Sequence, residues 1–256
     1  MFNRLIVLAL CSVFLSACVT TTESNLTRKK SPEKAVENYT KLGLGYIKNE
    51  RYDVAKQRLD RALSIDPDYA PANDAMAIYY LTQGEIEIAE EYYQKAIDSD
   101  SDFLEARHHY AQLLMEQNRL DEACEQLEEV LTDVDYLQRA SAQQELAKCY
   151  YQKGEHEKAI TVYKKALRGR SFNGPLLLNL STVLFEQKSY AEAWNYFLRL
   201  DNLVERKQTQ HTAYSLWLGI KLANIQGDPK RSGRYARELT QKHKDSVEYQ
   251  LYKKSF

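Results

Sequence analysis

The sequence predicts an all-α fold: about six stacked, antiparallel helix pairs behind a short N-terminal leader. Three observations predict it. Small residues recur at a fixed interval. Ala55, Ala89, Ala123, Ala159 and Ala193 are separated by 34, 34, 36 and 34 residues, and a second row, Ala62, Ala96, Val130, Ala166 and Leu200, repeats those steps. A period of this length marks a repeat architecture in which neighbouring units share one continuous core. Only 9 glycines and 5 prolines occur in 256 residues, too few for a turn-rich β-fold, while 19 tyrosines supply bulk between helices. Finally, the apolar run from Leu5 to Leu15 stands outside the periodic pattern and ends just before Cys18.

The leader comes first. A single charge, Arg4, precedes the apolar run, which is far shorter than the roughly 20 residues needed to cross a bilayer. A basic start, an apolar core and small residues at the end fit a secretory signal over residues 1–17. Leu15-Ser16-Ala17-Cys18 resembles the bacterial lipobox, whose small side chains let a peptidase reach the bond before the cysteine. The resemblance implies lipidation of Cys18, with diacylglycerol on the thiol and a further acyl chain, such as palmitate, on the new amine. At about 0.8 kcal/mol per buried methylene, several chains hold a protein on a membrane almost permanently. The alternative is a plain signal peptide followed by an incidental cysteine. Val19 stands where an Asp tends to retain such proteins in the inner membrane, which implies the outer membrane. Residues 18–34 are polar, poor in apolar side chains and contain Pro32, so they are read as a flexible tether.

The repeats follow over 35–256. LGLGYIKNERYDVAKQRLDRALSIDP (Leu42–Pro67) and LAKCYYQKGEHEKAITVYKKALRGR (Leu146–Arg170) share a small residue after Leu, a Tyr three further on, and two alanines seven apart. This resembles the tetratricopeptide repeat, which implies a right-handed superhelix whose first (A) helices line the concave face. The physical logic stands without the name. A large side chain at the crossing of helices A and B would force them apart, so Gly43, Ala77, Ala111, Ala147 and the alanine rows stay small, while Leu42, Tyr46, Tyr80, Leu146 and Tyr150 fill the volume beside them. Units are placed at 36–69, 70–103, 104–137, 140–173 and 174–207, with a two-residue excess near Gln138 and Arg139 lengthening one turn. Gly84 and Gly154 mark turns between helices, and Pro67 ends the first unit. A sixth unit, 213–246, is anchored on Gly227 but carries Ser232 where alanine is expected, so a plain helix pair is the alternative there. Residues 247–256 are expected to cap the open end.

A formal charge of −1 gives no footprint for nucleic acid, and no phosphate loop or nucleophile elbow points to a small-molecule substrate. Asp98 to Asp102 opens like a calcium loop, but its sixth and twelfth positions are Phe103 and His109 instead of Gly and Glu. His108 and His109 are adjacent and diverge on a helix; His156, His211 and His243 are isolated; all five read as surface or satisfied histidines. Trp194 and Trp217 read as core. No metal site and no cofactor is expected beyond the lipid on Cys18, and no catalytic residue is assigned. Cys124 and Cys149 read as small core residues on helices; an oxidising periplasm also permits a bridge between them.

A helical array without a polar constellation is a binding surface. The fifth, ninth and twelfth residues of each unit, all on its A helix, are expected to face inward. They place Asp74 and His108, Leu44 and Ile78, and Ile47, Leu81, Met115 and Tyr151 in a candidate partner-binding groove. Its N-terminal half is an apolar strip suited to the apolar face of an amphipathic helix; the alternative is that the twelfth-position residues are half-buried core.

The lipobox, the first repeat directly behind a short tether, and LWLGIKLANIQGD (Leu216–Asp228) followed by SVEYQ (Ser246–Gln250) together resemble the type IV pilus biogenesis lipoprotein family, the pilotins of the pilus secretin. The third unit departs from that pattern, with His109-Tyr110-Ala111 where Asn-Tyr-Gly is expected. The resemblance implies an outer-membrane, periplasm-facing protein, carried by the lipoprotein-sorting machinery, that binds secretin subunits and promotes their multimerisation, supporting twitching motility. Two other readings stay open: a different periplasmic repeat scaffold, such as a β-barrel assembly component or a cell-wall hydrolase adaptor, and an enzyme.

Overall fold

The computed structural model describes residues 31–168 and 173–255. Among them are thirteen helices and no strand. The A helices are α1 (Pro32–Lys48), α3 (Ala70–Gln83), α5 (Leu104–Glu116), α7 (Arg139–Gln152), α9 (Gly174–Glu186) and α11 (Ala213–Ile225). Their B partners are α2 (Tyr52–Ile65), α4 (Ile86–Ser99), α6 (Leu120–Val130), α8 (His156–Arg168), α10 (Tyr190–Glu205) and α12 (Pro229–Lys242), and α13 (Val247–Lys254) closes the stack. Residues 1–30, including the leader and Cys18, lie outside the described residues. No described helix is long and apolar enough to cross a membrane.

Local chemistry sets the ends. Ser31 Oγ accepts from the Lys34 amide at 3.3 Å with Pro32 in the first turn, so α1 starts inside the stretch expected to be tether. A capping serine before a proline is a helix start even in a polar run, which corrects that boundary. Thr212 and Ser215 form a reciprocal capping box on α11, and Asp228 and Ser246 cap α12 and α13.

Every A-to-B turn is built alike. One residue adopts a left-handed backbone: Glu50, Gly84, Asn118, Gly154, Lys188 and Gly227, with φ between 58 and 79°. The next amide then reaches back five residues, as from Arg51 to the Tyr46 carbonyl and from Glu155 to the Tyr150 carbonyl, each at 2.9 Å. This satisfies carbonyls that the helix end leaves open.

The small-residue rows sit where helices cross. Ala55, Ala89, Ala123, Ala159 and Ala193 are fully buried. A Cβ on Gly43 would lie 2.4 Å from the buried Leu59. A third row with the same steps, Leu59, Tyr93, Leu127, Tyr163 and Phe197, fills the space between A and B and is buried to within 1 %. Each B helix packs on the following A helix. The A helices also touch one another, α1 on α3, α3 on α5, α5 on α7 and α9 on α11. Direct A-to-A packing puts the A helices on the inside of the curve.

The lengthened turn, 131–138, joins the third and fourth units. Arg139 Nη1 donates to the Leu131 carbonyl at 2.8 Å and also to that of Asp133, and Tyr136 is buried against His108. Cys124 on α6 and Cys149 on α7 are joined in a disulfide, with Cα atoms 5.8 Å apart. Of the two readings the sequence left open for these cysteines, core thiols or a bridge, the structure shows the bridge; α6 and α7 pack closely enough to bring their Cα atoms into bonding range.

Candidate functional site

The inner face is built from side chains that tie each A helix to the next. His109 Nδ1 on α5 lies 2.8 Å from Asp74 Oδ1 on α3. Burial lowers the His109 pKa, but the bond to Asp74 outweighs it and the net shift is upward. His108 binds Tyr136 Oη through Nδ1 at 3.0 Å and Glu145 Oε2 on α7 through Nε2 at 2.9 Å. Burial pushes the Glu145 carboxyl up, but hydrogen bonds from His108, Gln112 and Ser141 hold it below the ordinary value. Tyr151 donates to Glu186 on α9 at 2.9 Å; burial and that carboxylate push the phenol up to about 12. Lys221 on α11 reaches back over Phe185, 4.5 Å from its ring centroid, and over Trp217 at 5.3 Å.

These contacts redistribute the expected groove residues. Asp74 and His108 are buried, at 4 % and 1 % exposure. Their position in the helix faces the following A helix, which covers them, so they are struts between repeats and do not line the groove. Ile47, Ile78, Leu81, Met115 and Tyr151 are half-buried and pack on the core with one edge, while Leu44 is 37 % exposed. Two adjoining cavities lie further along the face. One, of about 440 Å³, sits between α5 and α7 and is lined by Gln112, Met115, Glu116, Glu145, Lys148 and Gln152. The other, of about 200 Å³, lies between α7 and α9, where Lys148, Tyr151 and Gln152 meet Asn179, Thr182 and Val183. Lys148 and Gln152 line both, so the two cavities adjoin across α7 and together form the polar stretch, or channel, of the inner face. This polar continuation was not legible in the sequence, because its residues come from three different units.

One constellation escaped the sequence reading. Asp201, His211 and Ser215 stand in line, with His211 Nε2 3.2 Å from Asp201 Oδ1 and Nδ1 3.0 Å from Ser215 Oγ. The order resembles a nucleophilic triad. However, Ser215 is 1 % exposed and its hydroxyl donates to the Thr212 carbonyl at 2.9 Å, inside the α11 capping box. A substrate has no approach to it. Asp201 also receives Arg234 Nη2 at 2.5 Å. Burial alone would raise its carboxyl, but His211, Tyr235 and Arg234 together hold it below the ordinary value. The cluster ties α10, α11 and α12 together. Among the described residues no His, Cys, Asp and Glu group is arranged to hold a metal.

Comparison with known proteins places this architecture. Tetratricopeptide-repeat patterns match residues 30–69, 70–103 and 102–171. The type IV pilus assembly protein PilF of Pseudomonas aeruginosa is 32 % identical over 244 residues, 95 % of each chain. A solved structure of Pseudomonas aeruginosa PilF superposes with a TM-score of 0.77 at 30 % identity, covering 89 % of this chain and all of that one. PilW, described as a widely conserved type IV pilus biogenesis factor, shares the fold with a TM-score of 0.70 at 23 % identity, over 85 % of this chain and 97 % of its own. The chain is thus a stack of tetratricopeptide repeats that belongs to the family of the type IV pilus assembly protein PilF.

Proposed function

We propose that this protein acts in type IV pilus biogenesis as a pilotin: an outer-membrane lipoprotein that binds secretin subunits, carries them along the lipoprotein-sorting route and promotes their multimerisation. The observation that carries the reading is the relationship to the pilus assembly protein PilF over 95 % of both chains. Two features support it. The lipobox ending at Cys18 supplies an anchor, and several acyl chains make membrane attachment close to irreversible. The inner face offers an open channel with an apolar strip at one end, a shape suited to a polypeptide and not to a small molecule. The protein is then a carrier and scaffold that performs no reaction.

The test is Cys18→Ala, followed by membrane fractionation and heat-resistant multimer analysis of the secretin. The expected result is secretin lost from the outer membrane, no multimers, and no twitching motility. Normal secretin multimers in the outer membrane of that strain would refute the carrier mechanism. Crosslinking in cells that recovers a β-barrel assembly component or a cell-wall hydrolase, with no secretin, would move the protein to another scaffold role.

A further inference from the structure

The inner face changes chemistry along its length. The ninth residue of each unit forms a row: Leu44, Ile78, Gln112, Lys148, Thr182 and Lys221. Leu44 is exposed, Ile78 half-buried, and Gln112, Lys148 and Thr182 line the channel. The row begins apolar and carries cations at Lys148 and Lys221, with Thr182 between them. Over the later units the overall charge also changes sign: residues 69–145 hold 18 acidic and 4 basic side chains, and residues 146–256 hold 20 basic and 10 acidic, while residues 1–68 hold 11 basic and 8 acidic.

Neither Lys148 nor Lys221 has an ion-pair partner among the described residues. Lys221 is half-buried under Phe185 and Trp217, and that burial lowers its pKa. The Glu186 carboxylate offsets that burial only in part, and a partly desolvated ammonium is a state that a bound anion relieves. The acids nearby are already engaged or lie to one side. Glu145 accepts from His108, Gln112 and Ser141; Glu186 accepts from Tyr151; Glu116 lines only the α5 side of the channel.

We propose that the groove takes an extended partner segment that is apolar in the half seated over Leu44 and Ile78, and carries Asp or Glu side chains in the half that meets Lys148 and Lys221. The channel continues on both sides of Lys148, which suits side-chain carboxylates of a passing chain and not a chain terminus. Five helix-to-helix steps of about 9 Å span about 45 Å, or about 14 extended residues. This deepens the polypeptide-binding reading above and rests on it.

The probes are fluorescently labelled peptides of about 15 residues, leucine-rich in one half and glutamate-rich in the other, made in both chain directions, with counterparts in which every glutamate is glutamine or lysine. They are titrated against the detergent-solubilised full-length protein. The glutamate peptide of one direction should bind at least about tenfold tighter than its glutamine counterpart, and Lys148→Ala and Lys221→Ala should each remove about that advantage. The Lys148→Glu, Lys221→Glu double variant should instead prefer the lysine peptide, which a merely structural role for the lysines does not explain. Equal affinity for glutamate and glutamine peptides, no binding by any of them, or affinity unmoved by the lysine substitutions in variants of unchanged circular dichroism overturns the proposal. Peptides tiling the secretin of the same cell separate the two ideas. Tight secretin peptides indifferent to the lysines leave the pilotin reading standing and sink this one. Binding of the glutamate peptide with none from the secretin does the reverse.

Discussion

At the scale of single residues, the turns show where this chain is under local strain. Six equivalent positions need a left-handed backbone, and only Gly84, Gly154 and Gly227 supply a glycine. Glu50 and Lys188, at φ 58 and 60°, hold a conformation that costs an ordinary side chain about 1–2 kcal/mol, while Asn118 tolerates it better. Glycine loses more freedom on folding, by about 0.5–1 kcal/mol, so part of the gain is offset. Glu50→Gly and Lys188→Gly should each stabilise the fold by about 0.5–1 kcal/mol and Asn118→Gly by less, measured by urea denaturation; equal effects at all three would contradict the strain. A second prediction concerns the inner struts. The His109 pKa is raised in the folded state: burial opposes the charge, but Asp74 more than compensates. Its stabilising contribution is complete below the unfolded value near 6.5 and is lost as pH rises through the folded value. His109→Gln should therefore lower the thermal midpoint at pH 6 more than at pH 9, and equal losses at the two would show that the pair does not titrate as described. Glu145 runs the other way, since its depressed carboxyl contributes above about 4.5 and is lost on acidification. None of these pairings could be read beforehand. Helical spacing gives the side of the helix that Asp74 and His108 occupy, but not that the next A helix would cover it.

At the scale of elements, helix crossings were legible and the joints between units were not. The alanine rows announce themselves because a crossing admits only small residues, and those residues prove fully buried. The Leu59, Tyr93, Leu127, Tyr163, Phe197 row shares the same steps but varies in residue type, so composition hides it. The excess at the joint between the third and fourth units was also visible as a broken interval. What holds that joint was not, because the contacts of Arg139, Tyr136 and the bridge between Cys124 and Cys149 depend on how α6 meets α7. The bridge spans a separation of 25 residues. A crosslink of that loop size constrains the unfolded chain by about 3 kcal/mol. The Cys124→Ala, Cys149→Ala double variant should therefore lose about that much stability and become more sensitive to proteolysis in the turn 131–138, where Val134 and Leu137 are already exposed. Reaction of the native, oxidised protein with two equivalents of a thiol reagent would show the cysteines free and remove the basis for both expectations.

At the scale of the whole molecule, a stack is only as good as its ends. Each unit contacts its neighbours alone, so an uncovered end exposes core with nothing to compensate. Val247 lies 34 residues after Ala213, the interval that separates most of the units, so α13 begins where a seventh A helix would begin. Its Tyr249 and Tyr252 pack against the core, and Tyr252 meets Trp217 on α11 edge to face, with centroids 6.5 Å apart. At the position where the first five units place the small residue of the crossing, α13 has Lys254, too long to admit a close crossing there. Lys253 and Lys254 also put positive charge at the C-terminal end of the helix dipole. The helix thus continues the register of the array for two turns and covers the exposed side of α11. Ending the chain after Asp245 should uncover Trp217, shift its emission to the red and cost about 2–3 kcal/mol, the value of two half-buried tyrosines and the face beneath them. Because coupling runs only between neighbours, amide exchange should speed up in α9 to α12 and stay unchanged in α1 to α4. Trp194 is removed first, as Trp194→Phe, so that the emission reports on Trp217 alone. Unchanged emission in that shortened chain, or exchange that rises evenly along all six pairs, would show that α13 is an appendage and not the closing element of a one-dimensional stack.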